Sequence, residues 1–487
     1  MNIKDITKNV SGLKISGPLE QEVTGIAYSS QKVKPGFLFA ALKGEKSDGL
    51  DFVPEALEKG ASAVLCRKEK PEGFSKVWIQ AQDARLALAL ISAEYYGQPS
   101  KKLTLIGITG TKGKTTATYA LEQMLIQAGF SPGVIGSISY RGPQFNSSAQ
   151  RTTPEAPDTD ALLQKMLEQG ATHCVMEVSS HSIELKRING IDFDVTAFTN
   201  LSGEHLDFHK TLGSYFQAKK KLFITAKSSR PVINTDSEWG QKLASELPQK
   251  CLTFGILTQA DVFASHYKFS PDGLTAHIRS PSGAMDLTSP LLGKPNLYNI
   301  LTAASCALAL NIPLPAIQKG AASLEGVPGR FERVANDLGL HVFVDYAHTD
   351  EALKNLLETA REIHAQRIIL VFGAGGDRDQ SKRPRMGEVA GTLADWTIIT
   401  SDNPRSEDPL DIIADIEKGI KKSGSAQYEI EPDRKKAIQK ALSSAQCGDT
   451  VLIAGKGHEK YQVIKDRIIP FDDVDAAKEA EKEIRTH

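Results

Sequence analysis

The chain is poor in the features that would take it out of the ordinary soluble class. Its five cysteines (Cys66, Cys174, Cys251, Cys306, Cys447) are scattered, odd in number and never spaced as Cys-x-x-Cys. That argues against a disulfide framework or a thiolate zinc site, and fits a reducing cytoplasm. No charge sign dominates: 58 Lys and Arg stand against 59 Asp and Glu. Neither a nucleic acid nor a membrane surface therefore has an electrostatic claim on it. No apolar run approaches the ~20 residues of a transmembrane helix, so no membrane insertion is expected. The start, Met1-Asn-Ile-Lys-Asp-Ile-Thr-Lys8, lacks the apolar core of a signal peptide. Tandem repeats and low-complexity segments are absent. What remains is a composition of 40% hydrophobic and 24% charged residues over 487 positions. That length exceeds a single core and suggests about three domains.

One stretch organises the chain: Gly107-Ile-Thr-Gly-Thr-Lys-Gly-Lys114-Thr-Thr116. Leu103 to Ile108 before it reads as a buried strand. Ala117, Ala120, Leu121, Met124, Leu125 and Ala128 after it recur at helical spacing, with Gly129 at the C-cap. Strand, glycine loop and helix form the layout of a phosphate-binding loop. Gly110 and Gly113 admit phosphate oxygens to backbone N–H groups. With Thr111, Lys112 and Thr116 they make the cradle at the positive end of the helix. Lys114 is placed to reach the β- and γ-phosphates of ATP, and Thr115 to ligate Mg²⁺. The common pattern wants glycine where Ile108 stands, one residue after Gly107.

The expected fold is α/β in three domains. Residues 1–102 form a small α/β domain, with strands at Val23–Tyr28, Phe37–Leu42 and Ala63–Cys66 and helices at Val53–Gly60 and Arg85–Tyr96. Lys34-Pro35-Gly36 is a turn, and Ser30 lies at a strand end. Residues 103–329 form a central nucleotide-binding domain with a mostly parallel sheet. Its strands Cys174–Val178 and Val195–Thr199 end in Glu177-Val-Ser-Ser-His181 and in Asn200, Glu204 and His205. Open α/β sheets place ligands at such ends, which makes Glu177 and His205 candidates for the metal and phosphates. Asp261 to Leu287 alternates, with turns at Pro271-Asp-Gly273 and Pro281-Ser-Gly283, and reads as an antiparallel appendage. Gly326-Val-Pro-Gly-Arg330 reads as a hinge about which domains close. Residues 330–487 form a Rossmann-like domain. Its strands Val342–Val344, Ile368–Phe372, Thr397–Thr400 and Val451–Ala454 each run into a charged loop.

Those loops carry Arg383, Asp402, Asn403, Arg405 and Glu459. Arginine offers a planar fork to a carboxylate, and Asp or Glu receives an ammonium group. ATP, a metal carboxylate and a zwitterion pocket suggest ligation through an acyl phosphate. An acid attacks the γ-phosphorus, then an amine displaces phosphate.

The chain resembles the Mur ligases of bacterial cell-wall synthesis over essentially its full length. The resemblance rests on Gly110-Thr-Lys-Gly-Lys-Thr-Thr116, Thr152-Thr153-Pro154, Met176-Glu-Val-Ser-Ser-His181, Thr199-Asn-Leu201, His205-Leu-Asp207, Ala218-Lys219 with Leu222-Phe223, Asp345-Tyr-Ala-His348, Gly376-Asp-Arg-Asp379, Lys382-Arg-Pro384, Asp402-Asn-Pro-Arg405 and Gly455-Lys-Gly-His-Glu459. That family's phosphate loop deviates from the common pattern as this one does. The resemblance implies that residues 1–102 hold the UDP end of UDP-N-acetylmuramoyl-L-alanyl-D-glutamate, with Ser30 as a contact. It implies that Thr152, Thr153, Ser179 and Arg187 hold the sugar-peptide portion. Asn299, Arg330 and Asp345 would meet adenosine or phosphates. Lys219-Lys-Lys221 alone reads as a solvated basic run. The resemblance instead makes Lys219 a carbamylated lysine that joins Thr115, Glu177 and His205 around Mg²⁺. A cytoplasmic monomer is expected.

Within the family, Asp402-Asn-Pro-Arg405 resembles the form found in members that add meso-2,6-diaminopimelate rather than L-lysine. Pro404, Arg383, Gly455 and Glu459 match further amino-acid contacts. Diaminopimelate differs from lysine by a distal carboxylate, for which Arg405 supplies a fork. The sequence departs from the family pattern at Ser29, Gln31, Leu185 and Glu204. L-lysine as the added residue and a folylpolyglutamate-type ligase stay open as alternatives, as does a nucleotide switch without turnover.

Overall fold

The computed structural model describes residues 1–486 apart from 45–46, 227–228, 271, 364–366 and 425–426. Pro271 of the expected turn therefore lies outside the described residues. Three sheets and one short ribbon account for the strands.

The first sheet has five strands in the order Leu13–Ser16, Val77–Ala81, Ala63–Cys66, Phe37–Ala40, Gly25–Ala27. Only the first pair is antiparallel. Its two faces bury separate apolar layers, one around Leu38, Leu65 and Ile79, the other around Phe39, Val64 and Trp78. Alternation along each strand delivers one residue to each layer, as a sheet covered on both sides requires. Lys34-Pro35-Gly36 makes its turn, but the strands it joins pair in parallel, with a 3-10 turn at Ser30–Lys32 in the connection.

The second sheet has eleven strands. Thr104–Thr109 lies inside it, flanked in parallel by Val195–Phe198 and His173–Glu177. Parallel pairing continues outward to Arg230–Asn234 and Leu252–Gly255 on one side and to Pro132–Ile135 on the other. Ser139–Gly142 and Phe145–Ser148 close that side as an antiparallel hairpin. The expected appendage is present as three consecutive strands, Val262–Ser270, Gly273–Ser280 and Gly283–Ser289, at the other end of the sheet order. The third sheet orders Glu332–Val334, His341–Asp345, Thr450–Ala454, Ile368–Phe372, Trp396–Ile399 and Gln427–Ile430, all parallel but the first pair.

By compactness the chain falls into two units. One comprises residues 1–264, 279–285 and 298–320; the other comprises 265–278, 286–297 and 321–487. The first sheet and the strands Thr104–Thr109, His173–Glu177 and Val195–Phe198 of the second thus share one unit, and residues 402–405 and 455–459 belong to the other. Among the described residues no helix is long and apolar enough to cross a membrane.

Candidate functional site

In the first unit the strand Thr104–Thr109 runs into Gly110 and Gly113, and the helix Lys114–Gln127 begins immediately after. Gly113 has φ 86°, and a Cβ there would stand 2.2 Å from Asn299 Oδ1. A Cβ on Gly110 would stand 1.9 Å from Thr199 Oγ1. Both positions need glycine on steric grounds. The loop is held from the neighbouring strand end. Thr199 Oγ1 donates to the Lys112 carbonyl at 2.7 Å, and Lys112 N donates to Asn200 Oδ1 at 2.9 Å. Lys114 Nζ donates to the carbonyls of Gly110 and Thr111 at 3.0 and 2.9 Å, which keeps the ammonium over the cradle.

Glu177 ends the adjacent strand and is 1% exposed. Its carboxylate accepts from Thr115 Oγ1 at 3.2 Å, from Ser137 N at 2.9 Å and from Ser137 Oγ at 2.9 Å. Ser137 also meets Thr152 Oγ1 at 3.0 Å, and Thr153 Oγ1 donates to the Glu177 carbonyl at 2.8 Å. The phosphate loop, the carboxylate and Thr152-Thr153 thus form one connected network. Ser179 caps its helix and lies 3.4 Å from Thr153 Oγ1. Arg187 donates to the Thr153 carbonyl at 3.2 Å and pairs with Glu155 at 2.8 Å, while its buried Nε has no partner among the described residues.

The solvated reading of Lys219 fails. In the helix Leu212–Thr225 its side chain is 1% exposed, on the face shared with Tyr215, Leu222 and Phe223. Lys220 and Lys221 turn outward to Glu246 and Glu184. Lys219 Nζ donates to the Gly110 carbonyl at 2.8 Å and lies 4.6 Å from the Tyr215 ring centroid. Burial first, then the neighbouring Lys114 charge, push its pKa well below the usual lysine range, against Glu204. His205 adopts φ 58°, and its ring packs edge-on to His181 at 4.9 Å and to Tyr215 at 6.1 Å. The Tyr215 hydroxyl meets Thr111 Oγ1 at 3.3 Å, so the histidine approaches the loop through that ring.

Two expected contacts sit differently. The Ser30 hydroxyl is buried and donates to Glu55 at 2.7 Å, beginning a turn rather than ending a strand. Arg383 is 1% exposed, with Nη2 on both Glu407 oxygens at 2.8 Å and Nη1 on Asp415 at 3.2 Å. Its guanidinium braces the loop at Glu407 from behind. Asn299 stands with the phosphate loop in the first unit, whereas Arg330 and Asp345 belong to the second.

In the second unit Asp345 accepts from the backbone of Phe331 and Ala347 at 2.7 and 2.8 Å. Arg330 stacks 4.9 Å over the Tyr346 ring, and its buried Nε has no partner among the described residues. Asp402-Asn-Pro-Arg405 and Gly455-Lys-Gly-His-Glu459 come together: Asn403 Nδ2 donates to Glu459 at 2.8 Å. A Cβ on Gly455 would lie 3.1 Å from Asp402 Oδ2. Arg405 sits at φ 52°, pinned by the ribbon Tyr461–Ile464 and Arg467–Pro470. Its N–H donates to the Val463 carbonyl at 3.0 Å, and its carbonyl accepts from Lys465 N at 2.7 Å. Arg405 Nη1 reaches the Gly376 carbonyl at 2.5 Å. Behind the loops Arg434 is buried, paired with Asp473 at 2.7 Å and donating to the Ala454 carbonyl at 3.0 Å.

Sequence reasoning missed Ser137, Tyr215 and the ribbon. Ser137 follows the strand Pro132–Ile135, so the strand-end rule would have found it. Tyr215 precedes Lys219 by one helical turn.

Three family profiles match the chain: the Mur ligase family catalytic domain over residues 22–96, the Mur ligase middle domain over 108–307, and the Mur ligase glutamate ligase domain over 329–457. The chain is 42% identical to the UDP-N-acetylmuramoyl-L-alanyl-D-glutamate–2,6-diaminopimelate ligase of Syntrophomonas wolfei over 482 residues, 98% of this chain and 99% of that one. It is 44% identical to the protein of the same description from Caldanaerobacter subterraneus over 479 residues, 98% of each chain. A solved structure of a ligase of that description superposes with TM-score 0.72 at 33% identity, covering 100% of this chain and 99% of the other.

Proposed function

The chain belongs to the Mur ligase family, and we propose that its phosphate loop, Glu177, His205 and Lys219 carry the chemistry while loops 402–405 and 455–459 select the amino acid. The enzyme is an ATP-dependent ligase of peptidoglycan precursor synthesis. It joins meso-2,6-diaminopimelate to the D-glutamate of UDP-N-acetylmuramoyl-L-alanyl-D-glutamate. The observation that carries the site assignment is the buried cluster at one sheet edge: Thr115 on Glu177 at 3.2 Å and Lys219 on the loop's own Gly110 carbonyl at 2.8 Å.

ATP seats its phosphates on the cradle 110–116, with Lys114 leaving the loop carbonyls for the β- and γ-oxygens. Thr152, Thr153, Ser179 and Arg187 hold the glutamyl arm next to Glu177. Its γ-carboxylate attacks the γ-phosphorus, ADP departs, and the acyl phosphate receives the amine of diaminopimelate with loss of phosphate. Arg405 meets the distal carboxylate, and Glu459 with Asn403 receives the ammonium group. We assign Asn299, Arg330 and Asp345 to nucleotide contacts. We assign the UDP end to residues 1–102, ATP chemistry to 103–329 and amino-acid recognition to 330–487, in the cytoplasm.

Magnesium fits this donor set. Thr115 and Glu177 offer hard oxygens, but among the described residues no group of three His, Cys, Asp or Glu side chains surrounds a common point. Phosphate oxygens and a carbamate on Lys219 would complete the shell, as Mg²⁺ favours. The bound ion supplies charge neutralisation of the phosphates. Carbamylation of Lys219 in its unprotonated form would join the amine nitrogen to CO₂ with loss of one proton, giving an anionic oxygen donor; burial and the Lys114 charge favour that unprotonated form.

The test is phosphate release from ATP and Mg²⁺ with the UDP-dipeptide acceptor, comparing meso-diaminopimelate with L-lysine. Turnover with diaminopimelate alone is expected. Turnover with lysine keeps the ligase and overturns the role of Arg405, and release with neither sinks both.

A further inference from the structure

The loop that begins at Gly455 carries a lysine that the steps above do not use. Lys456 has a side chain with 0% exposure. A buried ammonium group requires compensating charge and hydrogen bonds. Both amino-acid loops provide them: Nζ lies 3.3 Å from Asp402 Oδ1, 3.0 Å from Asn403 Oδ1 and 3.8 Å from Glu459 Oε2. Asn403 passes the connection on, with Nδ2 on Glu459 at 2.8 Å and Oδ1 accepting from Val463 N of the ribbon at 2.9 Å. Gln462 Nε2 adds a bond to the Asp402 carbonyl at 2.9 Å.

We propose that Lys456 is a positioning residue for amino-acid recognition, locking Asn403 and Glu459 into one receptor for the incoming ammonium group. Its charge lets Asp402 and Glu459 stand beside each other. The inference rests on the assignment of these loops to the amino acid. Charges of both signs surround Lys456, and Lys382 also acts on Asp402. Asp402, Glu459 and Asp473 oppose Lys456, Arg405 and Arg434, and the rings of Tyr461 and Tyr346 face the same space. Removing Lys456 takes away a cation that lies within 3.8 Å of both Asp402 and Glu459, and proton uptake relieves their repulsion. Glu459 is the group poised to take that proton: burial, then Asp402, already lift its pKa, and Lys456, Asn403 and Arg405 hold it down. A protonated Glu459 no longer offers an anion to the ammonium group.

The experiment is kcat/KM for meso-diaminopimelate against pH, in the full-length enzyme at saturating ATP and acceptor, for wild type, Lys456→Met and Lys456→Arg. The acid limb of the methionine variant is expected to move up by about one pH unit or more, a tenfold change in proton affinity. The KM for ATP stays within about twofold, and arginine restores the limb in large part. An unmoved limb, with both KM values rising together, overturns the proposal. If the methionine variant does not fold, Asp402→Asn serves instead: loss of the like charge moves the limb down, and no movement is again fatal. Glu459→Gln separates the two levels. If it leaves the KM for diaminopimelate unchanged, the loop assignment fails. If it raises that KM while the limb of Lys456→Met stays put, only the role of Lys456 fails.

Discussion

Asp160 gives the sharpest stability prediction. It lies in the helix Ala156–Glu168, 2% exposed, and its Oδ1 has no partner among the described residues. Burial lifts its carboxyl from 3.8 to about 7, with the Ser92 hydroxyl pulling the other way. Between those values the folded chain keeps a proton that the unfolded chain has released. The folded pKa of this acid is raised, so stability is full below about pH 4 and drains away as pH climbs to about 7. A displacement of about three pH units at 1.36 kcal/mol each comes to about 4 kcal/mol. Asp160→Asn keeps the shape and cannot ionise. Urea denaturation of both proteins from about pH 5 to 8.5, followed through Trp78 in the first sheet, should show a wild-type midpoint that falls with pH and a flatter variant. The gap should widen toward alkaline pH and reach several kcal/mol. Parallel curves, or a gap that widens toward acid, would refute the reasoning.

Three further outcomes follow from the site. Arg405→Ala should lower kcat/KM for diaminopimelate roughly 100-fold, the worth of a charged fork, with the KM for ATP within about twofold; equal loss of both would sink its assigned role. Lys219→Ala should lower kcat by at least about 100-fold and regain part of it with added formate or acetate, and absence of any rescue would count against a carbamate. Gly113→Ala places a methyl group 2.2 Å from Asn299 Oδ1 at φ 86°. Calorimetry with a non-hydrolysable ATP analogue should then show affinity down by roughly 100-fold, and wild-type affinity would remove the loop from nucleotide binding.

Some buried parallel strands were legible in the sequence because their signal is local, although Val77–Ala81, Pro132–Ile135 and Arg230–Asn234 were not. Ala63–Cys66 and Ile368–Phe372 are wholly buried apolar runs, and both were placed to the residue. Three edge strands were not. Leu13–Ser16, Glu332–Val334 and Gln427–Ile430 owe their form to a backbone partner rather than to a continuous apolar run. The ribbon was missed for the same reason, since Ile468 is 72% exposed. At the site, glycine spacing and strand ends pointed to Lys114, Thr115 and Glu177. Lys219 was misread by composition alone, although Tyr215, Ala218, Leu222 and Phe223 mark its side of the helix as buried. Pairings such as Lys456 with Asp402 join residues 54 positions apart, which no local pattern announces. The Arg383 pairing with Glu407 and Asp415 was likewise invisible.

The buried Arg434–Asp473 pair sets the size of the module that a specificity graft would have to carry. Arg434 clasps the Ala454 carbonyl, next to Gly455, and Asp473 anchors it from the helix Asp473–Thr486. Exchanging loop 402–405 or 455–459 with a lysine-adding relative would leave that clasp, and the ribbon that pins Arg405, built for the old loop. The smallest transplantable part is therefore the span from loop 402–405 through the helix 473–486, and chimeras cut within it should lose amino-acid discrimination before they lose the fold.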